Sequence, residues 1–189
     1  GIRKTAQVAL NNWGGHARTS LATAALYLKN TSYAADAAIY QQEVINAHKT
    51  FIGLDVPNKM KCESTNWHAN NTNRYGINKK GTKIDGINVS GVLPEDWRRF
   101  TSFSVSTWPP VDDGSAESGY KWEGMQGLVA TAVILHRAGL VPFDAADKAI
   151  VRAMDMVVGT NQSGFNEATA NNPIHKFPAA KADLWIPWL

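Results

Sequence analysis

Residues 11–16 read Asn-Asn-Trp-Gly-Gly-His and combine amide donors, an imidazole and two glycines within six positions. Glycine frees the backbone, and polar side chains at a helix start cap exposed N–H groups, so helix capping is one interpretation of this segment. A helix N-terminus also favours an anion. The second interpretation is therefore a carboxylate-binding site in which Asn12 donates to the anion and His16 transfers a proton.

A second polar segment, residues 119–124, reads Gly-Tyr-Lys-Trp-Glu-Gly and directly precedes a strongly apolar stretch. A tyrosine at such a loop-to-helix junction acts as an acid or a base when neighbouring cations stabilise its phenolate. Tyr120 is thus a candidate for proton transfer. The alternative is that Tyr120 and Trp122 only anchor the helix to the core, as aromatic side chains commonly do.

Cations that suit a carboxylate occur between these two segments. They are Arg74, Lys79, Lys80, Arg98 and Arg99. Arginine matches a carboxylate through its paired donors, although a solvated surface is the simpler explanation. Together with seven tryptophans, which stack well on sugar rings, these cations favour binding of an acidic polysaccharide.

Several other chemistries are disfavoured. The chain contains no phosphate loop, no dinucleotide-binding glycine pattern, no His-Glu-x-x-His and no Gly-x-Ser-x-Gly. His48, His68, His136 and His175 lack metal-ligand spacing, so neither a metal site nor a cofactor is expected. His136 falls on an apolar face and is predicted to be a core histidine. The net charge of +3 would attract a polyanion but is too small to indicate nucleic acid.

Apolar residues at helical spacing predict four helices that position these candidates. They cover residues 16–29, 34–51, 121–138 and 144–158. No segment alternates cleanly enough to predict a sheet, and the apolar run after Gln126 is too short to span a membrane because His136 interrupts it. The pattern predicts an all-α domain of two antiparallel helical hairpins.

Residues 54–119 form an unusually long irregular segment, rich in asparagine and glycine, with at most a short helix after Pro94. Such long loops are uncommon in compact domains unless they carry function. We therefore expect binding residues within this loop.

Residues 11–18 and 24–28, and residues 118–139 around Gly-Tyr-Lys-Trp-Glu-Gly, resemble alginate-lyase-like and glucuronan-lyase-like polysaccharide lyases. The resemblance extends from about residue 11 to 188. It implies an (α/α) toroid, or an incomplete α/α barrel, in which residues 1–189 form a single domain similar to the C-terminal half of a longer one. It also implies a secreted or periplasmic location, and another chain or segment that completes the toroid.

The resemblance implies β-elimination on a uronate polymer. In that reaction the substrate carboxylate is neutralised, a base removes the C5 proton, and an acid protonates the C4 oxygen. By analogy Asn12 would neutralise the carboxylate, where preorganised donors stabilise developing charge. Tyr120 would act as the acid, and either Tyr120 or His16 as the base. Substrate contacts would come from Asn11, Trp13, Arg74, Arg98, Arg99, Trp122 and Glu123.

The chain departs from the family pattern at two points. Trp13 stands where these lyases often carry histidine, and His16 follows three residues later, close to one helical turn. The arginine that commonly precedes the tyrosine is replaced by Glu117 and Ser118, so an arginine of the long loop would have to substitute for it.

Two other functions fit the same residues. The first is a non-catalytic carbohydrate-binding protein, in which the aromatic side chains stack on sugars without cleaving them. The second is a glycoside hydrolase on a similar helical barrel, which would need two carboxylates flanking the bond, for instance Glu123 with Asp112 or Asp113.

Overall fold

The computed structural model describes residues 1–54, 60, 76–84, 87–96 and 120–168. The described part is mostly helical, as the periodicities predict. Its five helices are α1 (Ile2–Val8), α2 (Asn12–Leu28), α3 (Ala34–Phe51), α4 (Tyr120–Arg137) and α5 (Ala145–Ala168). Between α3 and α4 lies a minimal antiparallel ribbon of β1 (Lys83–Ile84) and β2 (Ile87–Asn88), with Lys83 opposite Asn88.

The helices predicted at 34–51 and 121–138 are confirmed within one residue. In each case the chain leaves the helix through a glycine with positive φ: Gly53 at 92° and Gly139 at 89°. Glycine adopts a left-handed backbone conformation with little strain. These two glycines therefore end the helices where the apolar stripes end.

Helix α2 begins four residues before its predicted start, because its apolar stripe begins only at Leu21 and gives no signal in the first turn. Asn11 caps this turn, since its Oδ1 accepts a hydrogen bond of 3.3 Å from the Gly14 N–H. Helix α5 runs beyond its predicted end. Neither α1 nor the ribbon was predicted from the sequence, since both are short and α1 buries only Ala6.

Helix α2 packs against α1, α3 and, most extensively, α4. Helices α2 and α4 run parallel, because successive turns of the two helices meet in the same order along both. Asn12 bonds Glu123, Gly15 faces Gly127, and the Thr19 and Thr131 hydroxyls lie 3.0 Å apart. A Cβ on Gly127 would come within 2.5 Å of the Gly15 carbonyl carbon, so this close approach of the two backbones requires glycine at position 127.

Two groups of apolar side chains form the core. The larger joins the end of α3, residues 77–93, α4 and α5, and its most buried members include Phe51, Ile77, Leu93, Met125 and Ile150. The smaller joins α1, α2 and α3 to the end of α4, through Ala6, Leu21, Val44 and Leu135. Both hairpins predicted from the sequence therefore contribute to buried surface.

Residues 77–96 are held against the helices by buried polar contacts. The Asn78 backbone N–H donates to the Val92 carbonyl, and its side-chain amide donates to the Val89 carbonyl at 3.0 Å. Arg152 of α5 donates to the Asn78 carbonyl at 3.3 Å and to the Ala146 carbonyl at 2.9 Å. Ala146 lies near the start of α5 and is the first of three consecutive residues with left-handed φ and ψ.

The prediction that His136 is a core histidine is wrong. Its ring is exposed near the end of α4, stacks edge-on against Phe143 and lies 3.3 Å from the Leu140 carbonyl. Among the histidines that the structure describes, the buried one is His48 of α3.

Residues 94–96 form a turn and no helix, and the rest of the short helix predicted after Pro94 lies outside the described residues. Among the helices described, none is both long and apolar enough to cross a bilayer.

Candidate functional site

The parallel packing of α2 and α4 brings their N-terminal ends together, and with them the two polar segments singled out in the sequence. The Asn12 amide nitrogen donates to the Glu123 Oε2 at 2.7 Å. Tyr120 is the first residue of α4 and lies one helical turn before Glu123. His16 lies one turn after Asn12 on α2. The candidates for acid–base chemistry therefore share one end of the helix pair.

Asn12 is almost inaccessible, with 3 % of its surface exposed. Its amide nitrogen is engaged by Glu123, while its Oδ1 has no hydrogen-bond partner within the described residues. A buried amide oxygen without a donor costs free energy. This end of the helix pair thus contains an unused acceptor beside a carboxylate.

Asn11 extends the polar cluster toward the turn at residues 94–96. Its Oδ1 caps α2, and its Nδ2 donates to the Glu95 Oε1 at 3.3 Å. Glu95 is buried in a left-handed conformation with φ of 48°. The next residue, Asp96, is also buried and packs against Gly124, where a Cβ would lie 2.5 Å from its Oδ2. Glycine at position 124 therefore makes room for an acidic side chain.

Two buried cations balance part of this negative charge. Lys121 follows Tyr120 directly and is buried at the start of α4. The Arg18 guanidinium lies in the core, where it donates to the Ala9 carbonyl at 2.9 Å and covers the ring of Phe51. Burial lowers the pKa of Arg18 to about 10, against the opposing effect of Asp96, so the side chain stays charged at neutral pH.

His48 lies on the core side of α3, near Arg18. Burial, and to a lesser extent the positive charge of Arg18, lower its pKa to about 3. Neither ring nitrogen has a hydrogen-bond partner within the described residues. The ring is therefore neutral at physiological pH and acts as a core side chain.

No family model, curated protein or solved structure matches this chain.

The predicted site residues differ in accessibility. Trp13 is 71 % exposed and His16 is exposed, whereas Tyr120 and Glu123 are half-buried. Trp122 packs against the larger core group, which agrees with the anchoring interpretation of that residue. Arg74, Arg98 and Arg99, together with Asp112 and Asp113, lie outside the described residues.

Four further members of the cluster were missed by sequence reasoning: Arg18, Glu95, Asp96 and Lys121. Arg18 carried a readable signal, because it precedes Leu21 by three residues on the apolar stripe of α2. Glu95 and Asp96, the two acidic residues that follow Pro94, gave a weaker signal. Within the described residues, the cluster contains three carboxylates (Glu95, Asp96 and Glu123) and two cations (Arg18 and Lys121).

Within the same described ranges, no group of three or more histidine, cysteine, aspartate or glutamate side chains is arranged to hold a metal ion.

Proposed function

We propose that the chain is a polysaccharide lyase that cleaves a uronic-acid-containing polymer, of the alginate or glucuronan type, by β-elimination. One observation carries the proposal. The two segments that resemble such lyases meet at one end of the α2–α4 pair, joined by the hydrogen bond from Asn12 to Glu123. A polymeric substrate of this kind implies an exported protein, secreted or periplasmic.

The reaction assigns roles to two of the accessible candidates, His16 and Tyr120. A base, His16 or Tyr120, removes the C5 proton. The released electron pair forms the C4–C5 double bond as the C4–O bond breaks, and Tyr120 delivers a proton to the departing oxygen. His16 and Tyr120 are accessible enough for this chemistry, and each lies within one helical turn of the Asn12–Glu123 pair.

Neutralisation of the uronate carboxylate needs positive charge or N–H donors. The Asn12 amide nitrogen carries two hydrogens, and Glu123 takes one of them, so the second is the donor assigned to the substrate. Because Asn12 is uncharged and has only 3 % of its surface exposed, the substrate carboxylate needs an additional cation. Arg74, Arg98 or Arg99 of the long loop would provide it through paired donors.

The exposed face of α2 supports a polymeric substrate. Trp13, His16, Ser20, Thr23 and Tyr27 are all exposed and recur every three or four residues, so they form one stripe on a helix that is otherwise packed. Fourteen residues of helix rise about 21 Å, enough for several sugar rings. The aromatic side chains at both ends offer flat apolar surfaces for stacking.

The same packing favours the toroid. Helices α2 and α4 are the first helices of two successive hairpins and run parallel, which is the relation between neighbouring inner helices of an (α/α) toroid. We propose that residues 1–189 form part of such a toroid, completed by another segment or chain.

Ultraviolet absorbance of unsaturated uronates tests the activity, because only elimination creates the C4–C5 double bond. The intact protein is offered alginate, glucuronan and other uronate polymers, beside the variants Tyr120→Phe and Tyr33→Phe. Tyr33 is an exposed tyrosine in the turn between α2 and α3 and serves as the matched control.

We expect rising absorbance with the parent protein and with Tyr33→Phe. The Tyr120→Phe variant should lose at least about a hundredfold in rate, since general acid–base groups contribute on that scale. Equal rates for both variants would remove Tyr120 from the mechanism. No absorbance change with any polymer would contradict the lyase proposal.

A non-catalytic carbohydrate-binding protein is the second candidate, and the exposure of Trp13 favours it. Such a protein would bind the polymers without generating absorbance, and Trp13→Ala would weaken the binding. The lyase proposal requires both binding and absorbance.

A further inference from the structure

Three lysines project from the ribbon segment, residues 79–90, which we call the lysine ribbon. Lys79, Lys80 and Lys83 fall within five positions, and all three side chains are exposed. None of their ammonium groups has a hydrogen bond or an ion pair within the described residues, where Arg3 and Glu43 form an ion pair at 2.6 Å. Three exposed lysines without a partner among the described residues therefore lie close together in the sequence.

Hydrogen bonds between side-chain hydroxyls and the backbone stabilise this turn. The Thr82 hydroxyl donates to the Lys79 carbonyl at 2.7 Å, and the Gly81 N–H donates to the Ser90 hydroxyl at 2.8 Å. Gly81 has φ of 80°, which glycine adopts without strain. The lysines are thus presented by a preformed turn, and less backbone entropy is lost when they bind a partner.

The base of the lysine ribbon is fixed to the rest of the molecule. Asn78 is buried and bonds to Val89 and Val92 across the base, while Arg152 ties it to α5. The chain then continues through buried residues 91–96 to Glu95, which accepts from Asn11 at the candidate site. The exposed cations and the polar cluster are therefore two ends of one anchored segment.

We propose that the lysine ribbon is a binding surface for a linear polymer bearing carboxylates, separate from the helix ends where cleavage is proposed. Exposed ammonium groups attract a polyanion through additive, salt-screened interactions. The segment contains one acidic residue, Asp85, which lies outside the described residues, so its formal charge is +2. This inference does not require that the polymer is cleaved.

A carboxylate polysaccharide fits better than a nucleic acid. Residues 79–90 contain no aromatic side chain on which a base could stack and no arginine, which is the usual reader of base edges. The overall charge of +3 is also low for a nucleic-acid-binding domain.

The test compares two triple variants with the same loss of charge. One is Lys79→Gln, Lys80→Gln and Lys83→Gln. The control is Lys4→Gln, Lys29→Gln and Lys49→Gln, which removes three exposed lysines elsewhere. Binding to immobilised alginate is measured at low and at physiological ionic strength, with dextran as the neutral polymer and duplex DNA as the alternative polyanion. All variants carry Tyr120→Phe to slow any cleavage, and ultraviolet absorbance is recorded alongside, so that the binding measurement stays interpretable if the lyase proposal fails.

We expect the ribbon triple to bind alginate about tenfold more weakly at low salt and with a smaller salt dependence, since fewer counterions are displaced. The control should change binding by about twofold at most. Equal weakening by both triples would overturn the proposal, because only net charge would then matter. Unchanged binding by the ribbon triple, or tighter ribbon-dependent binding of DNA than of alginate, would overturn it as well.

Discussion

His48 has 3 % of its surface exposed and sits in the core beside Arg18, although its type would suit proton transfer. Burial disfavours the charged imidazolium, and the arginine adds repulsion, so the pKa of the ring falls to about 3 from an ordinary 6.5. His16 lies near the start of α2 and is exposed to solvent. The difference in burial therefore distinguishes His48, a core side chain, from His16, a candidate base.

Acid should destabilise the protein through His48. Because the folded pKa is lowered, the unfolded chain binds a proton that the folded chain does not. The contribution to stability is therefore fully present above about pH 6.5 and is lost as the pH falls toward 3. Between pH 7 and 5 this amounts to about 2 kcal/mol of unfolding free energy. Urea unfolding at the two pH values measures it.

The variant His48→Leu should remove this part of the acid dependence, whereas His16→Gln, at an exposed histidine, should retain it. If the parent and His48→Leu lose the same free energy of unfolding between the two pH values, the acid sensitivity arises elsewhere.

At the scale of elements, the contact between α2 and α4 decides where the candidate site is. Gly15 and Gly127 allow the two backbones to touch, and Thr19 and Thr131 bond across the contact one turn later. With the helices this close and parallel, their first turns meet, and Asn12 reaches Glu123. A larger residue in the contact would separate the helix ends and the acid–base candidates with them.

The two glycines are not equivalent, which gives a graded prediction. A Cβ at position 127 would lie 2.5 Å from the Gly15 carbonyl carbon, which is a backbone atom and not the end of a flexible side chain. A Cβ at position 15 would meet its nearest atom at 3.2 Å. We expect Gly127→Ala to lower the free energy of unfolding by about 3 kcal/mol, as overpacking does.

For Gly15→Ala the higher helix propensity of alanine, about 1 kcal/mol, offsets much of the crowding, so its stability should stay near that of the parent. Chemical unfolding of both variants measures the difference. Equal losses, or a larger loss for Gly15→Ala, would contradict the close contact at Gly127.

At the scale of the whole molecule, the two core groups of the described part are linked by helices that contribute side chains to both. Helices α3 and α4 contribute to both, since Ala47 and Phe51 belong to the larger group and Val44 to the smaller. Elements that share helices in this way should unfold together.

Truncation of either core group should therefore shift one common transition. Ile150→Ala in the larger group and Val44→Ala in the smaller remove fully buried side chains, and each should cost about 2 to 4 kcal/mol. Far-ultraviolet and near-ultraviolet circular dichroism follow the unfolding. Coincident curves are expected for both variants, and separate transitions would mean that the two groups unfold independently.

Helices with local signals could be predicted from the amino-acid sequence alone. Periodic apolar positions and terminal glycines were enough for α3 and α4, because helix formation depends on neighbours three or four residues apart. The same reasoning marked Asn12, His16 and Tyr120 as chemically capable. It missed α1 and the ribbon, which are too short to show a period.

Which of these side chains meet, and which are buried, depends on how distant segments pack together. Asn12 and Glu123 are separated by 111 residues and Asn11 and Glu95 by 84, so no local pattern reports their hydrogen bonds. Burial of Arg18 and His48, and exposure of His136, likewise depend on which helix packs over each face. Such contacts arise from the summed packing of distant segments, and short-range spacing carries no information about them.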